Sequence, residues 1–254
     1  MIVAKSRESI QKMAQAGALL AEIFEGITPL LEPGVATLDL DTWLERALED
    51  KGLVSQSKGY MGYEHVSCIS VNDEVVHGVP SEEKILQDGD VVKIDVCASW
   101  QGYCADMART FFVGDVPEHK RSFAAIAEKA LAAGVANARA GKRLSDISAA
   151  VQKEVERHGY GVVRDFAGHG IGQSMHEEPE VLNYGEPGCG PLLRPGMALA
   201  IEPMITMGHH GVHVTEDGWT VKTDDGSIAA HAEDTVVITE GEPLLLTRVP
   251  HGVS

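Results

Sequence analysis

Residues 88–95 read DGDVVKID and residues 195–202 read PGMALAIE. Each has a glycine, a run of alternating apolar residues, and a carboxylate six places after the glycine. A second pair lies upstream, with EPGVATLD at 32–39 and RAGKRLSD at 139–146. Gly34 and Gly141, Asp39 and Asp146, Gly89 and Gly196, and Asp95 and Glu202 are each 107 positions apart. Four matches at one offset point to a duplicated unit, and the period is too long for a solenoid. The reading is one domain over 1–254, made of two pseudo-symmetric halves at about 1–115 and 116–254.

The elements around the echo fit that reading. Helical spacing of apolar residues covers 6–25. A second helix, LDLDTWLERALEDKG, follows with Asp39 before it and Gly52 as its stop. Strands are expected at 66–72, 91–99 and 103–113, where β-branched and apolar residues dominate. Ala98-Ser99-Trp100-Gln101-Gly102 forms the hairpin loop joining the last two. The second half repeats the order: helix over 118–139, helix from Ser145 to His158 with Gly159 as stop, and strands at 197–206, 219–222 and 228–239. The class is α+β with antiparallel strands.

Composition narrows the functions. Apolar residues make up 44% and charged residues 23%, as in an ordinary globular protein. With 21 basic against 38 acidic residues the formal charge is −17, which argues against a surface that coats DNA or RNA. Cys68, Cys97, Cys104 and Cys189 show neither a C-x-x-C pair nor zinc-finger spacing, so free thiols in a reducing compartment are expected. The first 26 residues read as an amphipathic helix and not a signal peptide. No stretch approaches the roughly 20 apolar residues a membrane span requires. A cytoplasmic monomer is the expectation.

Asp95 and Glu202 each end an apolar run, where an unpaired carboxylate is too costly to bury. Taken alone they read as capping or turn residues. Asp106 lies beyond the hairpin, so it can share a face with Asp95, and two carboxylates that close repel unless a cation neutralises them. Glu233 opens another apolar strand in AHAEDTVVIT, where Glu233 and Asp234 also read as a plain solvent-facing pair. His169 lies in AGHGIG and His176 seven places on in MHEEPEV, which is not the H-E-x-x-H of a zincin. His77 sits in VHGVP, a rigid turn. If Asp95, Asp106, His169, Glu202 and Glu233 converge, four carboxylates and one imidazole make an oxygen-rich set suited to two divalent ions such as Mn, Fe or Co. Two metals about 3.5–4 Å apart hold a bridging hydroxide and polarise a carbonyl.

The segments SVNDEVVHGVP, KIDVCASWQGYCADMARTF, AGHGIGQSMHEEP, MALAIEPMI and DGWTVKTDDGSIAAHAEDT closely resemble the type I methionine aminopeptidases, in the right order and over nearly the whole chain. The resemblance implies the pita-bread fold and removal of methionine from the N-termini of nascent polypeptides, with a small second residue preferred. It implies two divalent ions (Co, Mn, Fe or Zn). Asp95 would be bidentate to one, Asp106 and Glu233 would bridge both, and His169 and Glu202 would complete the second. His77 would hydrogen-bond the scissile amide, His176 would hold the carbonyl oxygen, and Glu202 would shuttle the proton to the leaving amine. Tyr60, Tyr63, Cys68, Met175 and Trp219 match positions lining the methionine pocket. Any contact with the ribosome would be weak.

Two departures stand out. Met175 replaces a frequent Phe, and Asp234 replaces a frequent His. The Glu-Asp-Thr form also occurs in proline-specific relatives of the same fold, so an Xaa-Pro peptidase is the first alternative. Those relatives usually carry an added N-terminal domain, for which this chain has no room. A non-catalytic binding module is the second alternative, although such proteins typically lose metal ligands, and all five are present here.

Overall fold

The computed structural model describes residues 2–248. Its first half opens with two helices, α1 (Arg7–Ile27) and α2 (Thr37–Asp50). Five strands follow: β1 (Val54–Ser55), β2 (Cys68–Val71), β3 (Glu74–Val76), β4 (Val91–Trp100) and β5 (Tyr103–Phe112). In the second half come α3 (Glu118–Asn137) and α4 (Leu144–Glu156), then β6 (Gly161–Val162), β7 (Gly168–Gly170), β8 (Glu177–Val181), β9 (Ala198–Ile201) and β10 (Met204–Thr206). The chain closes with β11 (Val212–Val214), β12 (Val221–Thr223), β13 (Ala229–His231), β14 (Glu233–Val237) and β15 (Leu244–Leu245).

The main sheet runs β1-β4-β5-β14-β9-β7-β8, with β2 also on β4 and β15 on β14, and every pair is antiparallel. Side chains of successive strand residues point to opposite faces, and that alternation decides what each residue does. Val92, Ile94, Val96 and Ala98 of β4 pack with Leu20, Phe24, Leu40 and Leu44 of α1 and α2. Leu199 and Ile201 of β9 and Val236 of β14 pack with Ile126, Leu131, Ile147 and Val151 of α3 and α4. The alternate residues, among them Asp95, Asp106, Glu202 and Glu233, line a pocket on the other face.

The repeat is visible in individual hydrogen bonds. Gly34 N–H donates to Leu86 O, and Gly141 N–H donates to Leu193 O, 107 positions on at both ends. Isolated bridges join Ala36 to Ile85 and Arg143 to Leu192 at the same offset. Val54 pairs with Ser99, and Gly161 with Thr206. The echo glycines Gly34, Gly141, Gly89 and Gly196 all take φ between 86° and 93°, a turn conformation that disfavours other residues.

The element boundaries differ from expectation in three places. Ala98 to Trp100 belong to β4, and the hairpin turn is Gln101-Gly102 alone, both at positive φ (49° and 77°). Asp39 lies inside the first turn of α2, whose N-cap is Ala36. The strands expected at 197–206 and 228–239 are each broken: β9 and β10 flank Glu202-Pro203, and β13 and β14 flank Ala232. Proline has no N–H to give a ladder.

Candidate active site

The pocket has a volume of about 600 Å³, with its floor on the sheet and its walls on loops from both halves. Asp95 lies opposite Ala108, and Asp106 opposite Cys97, so the two acids are diagonal neighbours on one face of the β4–β5 hairpin. Glu233 opens β14 against Ala108 of β5. Glu202 sits in the break after β9. His169 is the middle residue of β7, held between β8 and β9. The glycines beside it permit that squeeze. A Cβ on Gly168 would meet Ala200 O at 2.3 Å, and one on Gly170 would meet Glu178 O at 2.2 Å.

One oxygen each from Asp106 and Glu233 and one ring nitrogen of His169 lie within 4.8 Å of one another. His169 Nε2 is 3.5 Å from Glu202 Oε1 and 3.8 Å from Asp106 Oδ2. Its Nδ1 lies 2.9 Å from Gly170 O, and a carbonyl only accepts, so the proton sits on Nδ1 and the Nε2 lone pair faces the carboxylates. Glu233 Oε1 is buried with no hydrogen-bond partner. Burial, then the Asp106 charge, raises Asp95 well above the carboxylate range. Burial, then Asp95 and Asp106, does the same to Glu202, and burial with Asp106 and Glu202 to Glu233. Asp106 is pushed up to about 6, chiefly by burial, with hydrogen bonds from the Cys97 thiol and Met107 N–H pulling against it. A lone pair aimed at crowded acids, one of them without a donor, is a cation site by chemistry: the donor set fits divalent ions that favour oxygen and imidazole.

The remaining expected residues line the same pocket. His77 enters on a backbone at φ 56°, an uncommon conformation outside glycine, and its ring meets Phe166 edge-on at 5.4 Å. Burial, then His176, lowers it to about 4, so it is a neutral donor. His176 Nδ1 is 3.1 Å from the Tyr60 hydroxyl, and its ring stands perpendicular to His169 with centroids 4.4 Å apart. Tyr63 and Trp219 meet edge-on at 4.9 Å, and the Tyr63 hydroxyl donates to Ser67 O at 2.9 Å. Cys68 and Met175 complete the apolar wall. Trp219 reaches the site on the β11–β12 turn, where Asp217 Oδ1 accepts from the N–H groups of Trp219 and Thr220.

Sequence reasoning overlooked several neighbours. Thr235 brackets Asp106, accepting from its N–H at 2.8 Å and donating to its carbonyl at 2.9 Å. Asn183 donates to Glu202 O at 3.0 Å. Cys97, Phe166 and Met204 line the pocket. Lys93, two residues from Asp95, is fully buried, donates to Asn72 O at 2.8 Å, and is lowered to about 7 by burial. His231 is buried beside Glu202 and lowered to about 3, chiefly by burial.

Asp234 does not face the pocket. As the alternate residue to Glu233 it points toward the helices, 1% exposed, and pairs with Arg109 Nη2 at 2.6 Å and Arg248 Nη2 at 2.7 Å. Thr247 also donates to it, at 2.8 Å. The Glu-Asp-Thr form is therefore a structural clasp and says nothing about substrate.

Comparison with known proteins agrees with this geometry. The family model for metallopeptidase family M24 matches residues 11–240. The methionine aminopeptidase of Clostridium acetobutylicum is 44% identical over 247 residues, covering 97% of this chain and 99% of that one. The crystal structure of the methionine aminopeptidase from Thermotoga maritima superimposes with a TM-score of 0.96 at 41% identity, covering 98% of this chain and all of that one. An Xaa-Pro dipeptidase from Bacillus anthracis is more distant, with a TM-score of 0.79 at 25% identity, and this chain covers 62% of it. The likeness to methionine aminopeptidases spans nearly the full length of both chains, and the chain belongs to metallopeptidase family M24, among its methionine aminopeptidases.

Proposed function

We propose that this protein removes the N-terminal methionine from newly made polypeptides, using two divalent ions held by Asp95, Asp106, His169, Glu202 and Glu233. The observation that carries the reading is one acid-floored pocket walled by Tyr63, Cys68, Met175 and Trp219. Aromatic and sulfur-bearing walls suit a thioether side chain, and the acid floor lies where the scissile bond would fall.

The ions would supply Lewis acidity toward the scissile carbonyl and a nucleophile at neutral pH. The set of four carboxylates and one imidazole suits divalent ions such as Mn, Fe or Co, with Zn also able to bind. Asp95, Asp106, His169, Glu202 and Glu233 would together hold the ions. Glu202 takes the proton of the attacking water and delivers it to the leaving amine. His176 Nδ1 pairs with the Tyr60 hydroxyl at 3.1 Å; with that hydroxyl as the donor, His176 would carry its proton on Nε2 and offer it to the carbonyl oxygen as charge builds there. His77, kept neutral by burial, hydrogen-bonds the scissile amide.

The pocket closes around the first residue of an extended chain, so small second residues are favoured. The site groups named here all come from one chain, and the reading is of a monomer. Among the described residues no helix is long and apolar enough to cross a membrane. The four cysteines are unpaired, as a reducing cytoplasm would keep them. A net charge of −17 gives no grip on ribosomal RNA, so the substrate is met through its free end and contact with the ribosome is weak.

The test is to strip the metal, re-add Mn, Fe, Co or Zn, and compare Met-Ala-Ser with an Xaa-Pro peptide while measuring metal content. Cleavage of Met-Ala-Ser that returns with up to two ions per chain is expected. Preferential cleavage of the Xaa-Pro bond, or no metal-dependent activity on either peptide, overturns the proposal.

A further inference from the structure

His231 is 1% exposed, and neither of its ring nitrogens has a hydrogen-bond partner. A neutral imidazole carries one N–H and one lone pair, and a buried donor left unused is costly. Its Nε2 lies 3.8 Å from Glu202 Oε2, while His169 Nε2 lies 3.5 Å from Glu202 Oε1. Glu202 is flanked by one imidazole on each carboxylate oxygen.

The internal repeat gives this position independent meaning. Asp106 pairs with Cys97 in the β4–β5 ladder, and His231 pairs with Met204, 107 places after Cys97, in the β10–β13 ladder. His231 therefore stands in the second half where Asp106 stands in the first. Asp106 lies beside Asp95, and His231 lies beside Glu202, the echo of Asp95. The first half fills the position with an acid directed at the cation site. The second fills it with an imidazole that is not among the five ligands.

We propose that His231 is a positioning residue for Glu202, its unused Nε2–H set 3.8 Å from Oε2 so that a small closure makes it the donor to that oxygen and leaves Oε1 turned toward His169 and the reacting groups. This rests on the assignment of Glu202 to metal binding and proton transfer made above. A glutamate has three side-chain torsions, and both tasks need one of its geometries. A fixed donor on the far oxygen selects that geometry, as outer partners of metal ligands do elsewhere.

The test compares His231→Gln, which keeps a side-chain donor, with His231→Met, which has similar length and none. Two readouts are used: kcat and KM on Met-Ala-Ser with saturating Mn, and calorimetric titration of Mn into the stripped protein. Expected is a 10–100-fold loss in His231→Met, in kcat or in the affinity of the weaker Mn site, with KM changed by less than about threefold and most of the loss recovered in His231→Gln. Both variants lose the ring equally, so their ratio stands whatever their melting temperatures. A Gln-to-Met ratio near one in both kcat and Mn affinity overturns the proposal. Glu202→Gln is run alongside. If it binds Mn and turns over normally, the assignment of Glu202 itself fails. If it loses both while the Gln-to-Met ratio is near one, only the role of His231 fails.

Discussion

The two halves share a ladder but use it differently. In the first half β4 and β5 run unbroken, closed by the two-residue turn Gln101-Gly102. In the second half the matching strands are interrupted on both sides, at Glu202-Pro203 and at Ala232, and the turn is replaced by the excursion of residues 207–228. That excursion carries Trp219 into the pocket, and its strand β12 pairs with β3 of the first half. A continuous hairpin gives the rigid platform on which Asp95 and Asp106 sit. The broken one gives up ladder hydrogen bonds and gains freedom to aim Glu202 and to deliver a substrate wall. The halves meet where Glu233 pairs with Ala108, its own counterpart under the repeat. Strict symmetry would set two acids face to face there. One acid opposite a methyl group leaves a single carboxylate on the axis, shared by both sides.

Removing the platform should have the largest effect. Asp106→Ala should lower kcat by about a thousandfold or more, because the surviving acids cannot hold both ions. Turnover within tenfold of the parent would break the division of labour between the halves. His77→Ala should lower kcat by about a hundredfold with metal content unchanged, since His77 acts on substrate and not on the ions. Loss of metal in that variant would place His77 in the wrong group. Asp234→Ala leaves Arg109 and Arg248 without their buried partner and should cost about 3–5 kcal/mol of stability. Urea unfolding would show this, while the preference for Met-Ala-Ser over an Xaa-Pro peptide should not move. Trp219→Ala, in the excursion, should raise KM about tenfold and change kcat little, and the reverse pattern would mean that the second half does more than recognise substrate.

The smallest effect is in the pH dependence of the metal-free protein. Asp106 holds its proton up to about pH 6 when folded but only to about pH 4 when unfolded. Asp95, Glu202 and Glu233 are raised in the same sense. Such groups stabilise the fold at low pH, and that stability is lost as pH rises through their folded values. The buried His77, His169 and His231 are lowered and act the opposite way, but only until unfolded histidine is itself neutral, at about pH 6.5. Above that point only buried Lys93, lowered to about 7, still opposes the raised acids, one group against three or more. The melting temperature of stripped protein should keep falling with pH there, and added Mn should abolish the decline. A flat profile would mean that the acids do not crowd one another as the structure implies.

Much of this was legible in the residues. The glycine echo identified the repeat, and the apolar spacing placed α1 to α4 within a few residues. That Asp95 and Asp106 could share a face was readable from the hairpin, but the register that makes them do so depends on the two-residue turn Gln101-Gly102 in place of the five-residue loop expected. What escaped has physical reasons. The strand β7 spans only Gly168–Gly170, too short to show a period, and the strand expected at 197–206 gave no sign of its break after β9 beyond Pro203. The left-handed backbone at His77 is imposed by packing, and no residue type announces it. Asp234 was readable by parity, because it alternates with Glu233, and its resemblance to a proline-peptidase pattern hid that. His231 was missed because the echo was followed along β4 and β9 but not along their partners.

The five proposed ligand positions are spread from Asp95 to Glu233, so the set is complete only once synthesis has passed β14. Contacts of such long sequence separation form late in folding. An interrupted translation product ending before β14 therefore carries the platform, the pocket wall and no working centre. On the proposed ligand set, hydrolytic activity waits for that last strand.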